Sequence, residues 1–247
     1  FCLSRGLGDV YKRQVLVVVS IWKRPSSYHV TGRSLKCGPA YVRCTSMDGP
    51  RREFLVMKVL PALIVFALWL DGWFYPLLLL PLLYVLFVER RDLRSIGFTT
   101  EKLGSSVSLG LAAFAIDLLV YLPVFFYYLS TLQRMNMGDW YPLFTDVIWY
   151  PLYEEITYRG FFLGHFTSPD DSPFSGKALM VNLIQAVLFL SIHHKHVTTG
   201  HPLLLIPVFL LGFLNGLAFL RTRNVIGCVL SHSLLNGGAL LLTQIFV

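Results

Sequence analysis

Three groups of polar side chains interrupt the apolar second half of this sequence. Glu154, Glu155 and Arg159 form the first, His193 the second, and His232 with Asn236 the third. Each lies in an apolar and aromatic run, where an ionisable residue at a membrane-helix centre costs about 2.5–3.5 kcal/mol on insertion scales. Such residues need a function or a partner. Glu155 and Arg159 are four apart and share a helical face, as do His232 and Asn236. Glu154 points about 100° away from Glu155, so the two carboxylates take different roles. Arg159 neutralises Glu155, and Glu154 is left to work as a base. A carboxylate walled off from water is a stronger base, and neutral imidazole or carboxamide donors stabilise an oxyanion. In this scheme Glu154 and His193 position a water, while His232 and Asn236 hold the oxyanion that forms on a peptide carbonyl. The chemistry is hydrolysis within a membrane.

The elements that must carry these groups follow from composition. The 247 residues are 55% hydrophobic and 14% charged, against about 25% charged in a soluble domain. A single all-α, multi-pass bundle of seven spans is expected: Phe54 to Leu70, Trp73 to Val88, Ser105 to Leu129, Tyr141 to Phe166, Lys177 to His194, Leu203 to Arg221 and Val225 to Val247. Asp71-Gly72 turns the first pair, with Trp69, Trp73, Phe74 and Tyr75 crowding the interface. The polar stretch Gln133 to Asp139 forms a loop on the face opposite the arginines, and Pro169 to Pro173 carries turn chemistry. Pro151 is expected to bend the fourth span, because it removes a backbone donor. Arg90, Arg91 and Arg94, then Arg221 and Arg223, place those loops and the amino terminus in the cytoplasm by the positive-inside rule.

The net charge of +7 is concentrated at the start of the chain, since residues 57 to 247 hold eleven basic and eleven acidic residues. Residues 1–52 show no sustained period, and Val15 to Ile21 is too short to span. They read as a non-native or disordered leader. Residues 1–14 resemble a translated sequencing-adapter fragment, and Met57 is the expected native start. One protease domain then covers 53–247. Of the four cysteines only Cys228 lies in the membrane body, and it reads as a small packing residue.

With the motifs in place, a resemblance emerges. Glu154-Glu-Ile-Thr-Tyr-Arg159-Gly, Phe189-Leu-Ser-Ile-His193 and His232-Ser-Leu-Leu-Asn236 resemble the three ordered motifs of the CAAX prenyl protease and bacteriocin-processing family of glutamic intramembrane proteases, also called Abi. Arg94-Ser-Ile-Gly-Phe98 is similar to the loop that precedes the family's catalytic core, which here covers about 141–247. The resemblance implies that Glu154 activates water, that His193 is the second-motif histidine, and that His232 and Asn236 form the oxyanion pair. It makes Glu155 and Arg159 supporting residues. It further implies an enzyme without a catalytic metal or other cofactor, acting on a peptide or protein that is lipidated or carries a terminal sorting segment. Membrane lipid is the surrounding partner, nucleic acid is not one, and a bacterial cytoplasmic membrane is the expected location.

Rival chemistries are weighed on the same residues. Zinc could draw on His193, His194, His196, His232 and Glu154, but His-Glu-x-x-His is absent. His194, His196 and His201 read as a solvated interfacial face. Ser191, Ser231 and Ser233 lie in no glycine-flanked nucleophile turn. A scaffold, or a transporter using the carboxylates as a proton relay, lacks the paired interrupted repeats common in transporters. Asp117 either lines the cavity or bonds a neighbouring helix, and is left outside the site. Depth is the remaining tension. On straight spans Glu154 and His232 lie about 12–14 Å from the cytoplasmic end, but His193 more than about 20 Å. They meet only if the fifth helix starts deeper than Lys177 or a break at Pro151 displaces the fourth.

Overall fold

Backbone that has no water to bond must satisfy itself, and helices do so within one segment. The computed structural model describes residues 54–71, 79–132 and 140–247, and among these every regular element is helical. All of them fall in the unit Ser46–Val247. The leader, Gly72 to Tyr75 and the loop 133–139 lie outside the described residues.

Seven longer helical stretches occur among the described residues, besides the short helical turns Leu93–Ile96 and Lys195–Thr198: α1 (55–71), α2 (80–88), α3 (Leu103–Tyr128), α4 (140–166), α5 (Gly176–Ile192), α6 (Pro202–Thr222) and α7 (Ile226–Phe246). Their boundaries follow the expected spans within a few residues, except for the second, whose expected start at Trp73 lies outside the described residues. Only α3, α6 and α7 are both long and apolar enough to cross a membrane, while Leu55–Leu68 and Gly176–Ile192 are shorter apolar helices. Among the described residues, three of the expected seven meet that length and apolarity. A crossing needs about 20 apolar residues, and α5 has 17.

Small residues let the long helices touch. Ser106 and Gly110 of α3 lie against Gly227 of α7, and a Cβ on either glycine would collide with a backbone carbonyl of the other helix. Ser106 Oγ accepts from Gly227 N at 3.0 Å and donates to Asn224 O at 3.1 Å. At the far end Phe126 meets Phe246 edge to face, 5.5 Å between centroids. The two helices thus run side by side in the same direction. α5 and α6 pack at Gly212 and Gly216, where a Cβ on Gly216 would strike the Asn182 side chain. Asn182 Nδ2 donates to Phe213 O (3.1 Å), and Gln185 Nε2 donates to Gly212 O (2.9 Å) and to Asn182 Oδ1 (2.8 Å). Without a hydrophobic force between helices in lipid, close packing and such polar contacts must hold them together.

The loop before α3 closes this end of the bundle. Asp92 caps the short turn Leu93–Ile96, and Gly97 at φ +90° reverses the chain in a conformation that favours glycine. Gly97 O accepts from Val225 N at 3.0 Å, and Asn224 Nδ2 donates to Thr99 O (2.6 Å) and Glu101 O (2.9 Å). Ile96 is buried where Gly160 of α4 approaches it with no room for a Cβ.

Pro151 does not break the fourth helix. The chain stays helical from 140 to 166, with wide π-type turns at Thr145–Trp149 and Ile156–Leu163 on either side of the proline. Tyr150 N donates to Thr145 O, five residues back, so Asp146 O would next receive the N–H of residue 151. Proline has none. The π turn absorbs the proline and leaves one carbonyl for another partner.

Replacing Gly110 by Leu should force α3 from α7 and lower stability by about 1–3 kcal/mol or more. Unfolding in detergent, compared with Gly104→Leu, where a Cβ meets open space, measures the difference.

Candidate active site

The first polar group is built on the π turns of α4, which bury Ile156 to Leu163 completely. Glu155, at the end of the α-helical stretch before them, has no exposed surface and gathers three partners. Arg159 Nε lies 3.1 Å from Glu155 Oε2, one turn on. His232 Nδ1 of α7 lies 3.0 Å from Oε1, and Asn215 Nδ2 of α6 donates to the same oxygen at 3.3 Å. The expected Glu155–Arg159 pair is present, and it is the centre of a larger network. Arg159 is fully buried with its guanidinium 4.4 Å from the centre of the Phe189 ring, so the charge has both a carboxylate and an aromatic face.

Glu154 differs from its neighbour in access. Its side chain keeps 12% exposure against 0% for Glu155. Its Oε2 has no hydrogen-bond partner among the described residues and lies 3.8 Å from His232 Nε2. His232 therefore sits between the two carboxylates. Nδ1 is committed to Glu155, and that orients Nε2 toward Glu154. The two glutamates point apart as helical geometry requires, yet both reach the same imidazole.

His193 lies just past α5, where the helix ends, and its Nδ1 is 2.9 Å from Phe189 O. A carbonyl accepts, so Nδ1 carries the proton and Nε2 is the free acceptor. The Phe189 ring stands edge-on to His232 at 5.8 Å, bringing the end of α5 to the second turn of α7. His193, His232 and Asn236 line one cavity of about 170 Å³, together with Tyr121 of α3, Phe189 and His196. Neither expected route to this meeting is seen, since α5 starts at Gly176 rather than deeper than Lys177 and α4 stays helical through Pro151, yet the end of α5 reaches His232. Glu154 is absent from this cavity wall and joins the group through His232. No hydrogen bond or ion pair links Glu154 directly to His193.

Asn236 has a second commitment. Its Nδ2 donates to Asp146 O at 2.7 Å, the carbonyl that Pro151 leaves unserved. One N–H of the carboxamide thus ties α7 to α4, and its second N–H remains.

Several participants carried no recognisable signal in the sequence. Asn215 stands alone on an apolar helix, yet it donates to Glu155 and to Cys228 O (3.1 Å) while the Cys228 thiol donates to Asn215 O (3.3 Å). Cys228 is buried as expected, and it also holds Asn215 in place. Tyr121 looked like one aromatic among many. His196, read as interfacial, stacks near His193 at 6.1 Å and forms part of the wall. His194 is exposed, and His201 turns away to Thr131 (3.1 Å) and Tyr128. Asp117 is buried, its carboxylate oxygens have no hydrogen-bond partner among the described residues, and it is not in the cavity wall. Among the described residues no three His, Cys, Asp or Glu side chains come together in a way that could hold a metal ion.

Residues 136–238 match a family model described as Type II CAAX prenyl endopeptidase Rce1-like, and this range contains Glu154, His193, His232 and Asn236. Comparison with curated proteins and with solved structures found no match.

Glu155→Ala strands a buried arginine, and breaking a buried pair in this way costs about 3–5 kcal/mol. Glu154→Gln removes no such partner. Thermal unfolding in detergent should fall markedly for the first and remain near wild type for the second.

Proposed function

We propose that this chain, whose residues 136–238 match the model of the Rce1-like type II CAAX prenyl endopeptidases, is a member of that family and an intramembrane endopeptidase using a glutamate-activated water. The meeting of His193 of the α5 end with His232 and Asn236 of α7 on one cavity, to which Glu154 of α4 is joined through His232, supports this reading most strongly. The remaining short helices complete a seven-span bundle around it.

Glu154 is the base. Its side chain keeps 12% exposure and its buried Oε2 has no hydrogen bond among the described residues, whereas Glu155 is engaged by Arg159, His232 and Asn215. Glu154 takes a proton from water as the water oxygen attacks the carbonyl carbon of the scissile peptide. The carbonyl π electrons move to oxygen, and the resulting oxyanion is held by the second N–H of Asn236; the His232 N–H expected for this task is spent on Glu155, so in the neutral ring its Nε2 accepts and faces Glu154. Glu154 returns the proton to the leaving nitrogen as the C–N bond breaks. His193, with Nε2 free to accept, holds the water in the cavity. Glu155 and Arg159 position His232 and the π turns of α4, and act without touching substrate.

The substrate is a polypeptide segment delivered within or beside the membrane. The family's name points to prenylated carboxyl termini, and a terminal sorting segment would present the same chemistry to the cavity.

Glu154→Gln should lower turnover by about 10²–10⁴-fold, the range for loss of a general base. Cleavage of a labelled peptide library in proteoliposomes, with retained detergent stability as the control, measures this. Turnover at the wild-type rate would refute the assignment. Activity should also persist in a zinc chelator. If chelation abolishes it and added zinc restores it, histidine and glutamate ligation of a metal replaces the scheme.

A further inference from the structure

A second pocket lies away from the catalytic residues, at the end of the bundle where α3 begins and α6 finishes. Its volume is about 440 Å³, and its wall includes Lys102 and Ser105 from the start of α3, Arg221 from the last turn of α6, and Asp171 from the loop before α5. Leu220, Pro169 and Pro173 supply apolar wall. We propose that this pocket binds the phosphate group of an anionic phospholipid at the membrane surface.

Depth is the first argument. α3 and α6 are two of the three helices long and apolar enough to cross a membrane. Residues at the extreme ends of such helices lie where the hydrocarbon gives way to headgroups. The pocket is built from the first residues of one helix and the last of the other, so its opening lies at phosphate level.

Charge is the second. Lys102 and Arg221 are exposed, and neither side chain makes a hydrogen bond or ion pair among the described residues. Asp171 is the acidic group in the wall, and its carboxylate is already engaged by Lys177 Nζ at 2.8 Å and Ser168 N at 2.7 Å. These two donors, Lys177 first, hold Asp171 below the usual carboxylate range. It remains ionised and paired, and the two unpaired cations dominate the pocket. Arg221 offers a planar fork to phosphate oxygens, Lys102 a point charge, and the Ser105 hydroxyl a further donor in the first turn of α3.

Construction is the third. The loop 167–175 is held before any ligand arrives, because Arg223 donates to Thr167 Oγ1 (2.8 Å) and to Ser168 O. Ser175 Oγ caps α5 by accepting from Ala178 N at 3.2 Å. Beside the pocket, Leu103 is exposed at the α3 start and Phe174 is 70% exposed on the loop. An aromatic and an aliphatic side chain at headgroup depth suit a ligand whose charged head is joined to acyl chains, whereas a free anion has no use for them. Basic pockets between membrane helices provide such headgroup sites.

The test uses the full chain purified in a neutral detergent, with short-chain phosphatidylglycerol as probe and native mass spectrometry as readout. Wild type should retain phosphatidylglycerol over phosphatidylcholine. Lys102→Gln with Arg221→Gln should reduce retention by at least tenfold, and each single change by about threefold. Peptide cleavage and thermal unfolding should remain at wild-type level, so a loss of binding is separable from loss of fold or catalysis. The singles carry the same comparison should the double variant fail to fold. Equal retention by variant and wild type, or equal binding of phosphatidylcholine, would overturn the proposal. Displacement of the lipid by inorganic phosphate at equal concentration would assign the pocket to a free anion instead and would also overturn it.

Discussion

Glu155 is buried between an arginine one turn further along α4, an asparagine on α6 and a histidine on α7. A carboxylate placed there without partners would be expelled by the cost of its charge, and so would Arg159. Their pairing makes the burial tolerable, and the remaining oxygen then dictates where His232 and Asn215 must sit. The position of the His232 imidazole is a consequence of satisfying a buried acid. Glu154, released from that duty by pointing elsewhere on the helix, keeps an oxygen free.

A second constraint comes from a missing hydrogen. Pro151 deprives the Asp146 carbonyl of its natural donor, and Asn236 supplies one from α7. The π turns that flank the proline change which backbone groups are left over, and one of these anchors a residue of the cavity wall. The same economy appears at Gly110, Gly212, Gly216 and Gly227, where the absence of a Cβ allows helices to approach closely enough for polar side chains to bond across them. Helix contacts and site geometry are therefore one problem.

Much of this was legible in the sequence. Apolar runs and their flanking charges gave the helix positions within a few residues, and the four-residue spacing of Glu155 and Arg159 gave their ion pair. The ordered Glu-Glu, His and His-Asn groups pointed to the family. Span character was less legible, because an apolar stretch shows that a helix will be buried in something without showing whether lipid or other helices surround it. α5 illustrates this, with 17 residues pressed against α6 by Asn182 and Gln185. The proline at 151 was legible as a perturbation, but its resolution as π turns depends on side chains from another helix.

By itself the sequence determined the helices, the cost of the charges and which neighbouring residues share a face, because these depend on interactions within about one turn. Tertiary structure alone decided that His232 bridges two carboxylates, that Asn215, Tyr121 and His196 join the network or the cavity, and that His193 lines the same cavity as His232. Those outcomes depend on how far helices tilt, shift and approach one another. Such displacements are set by side chains distant in the chain, and no local spacing encodes them.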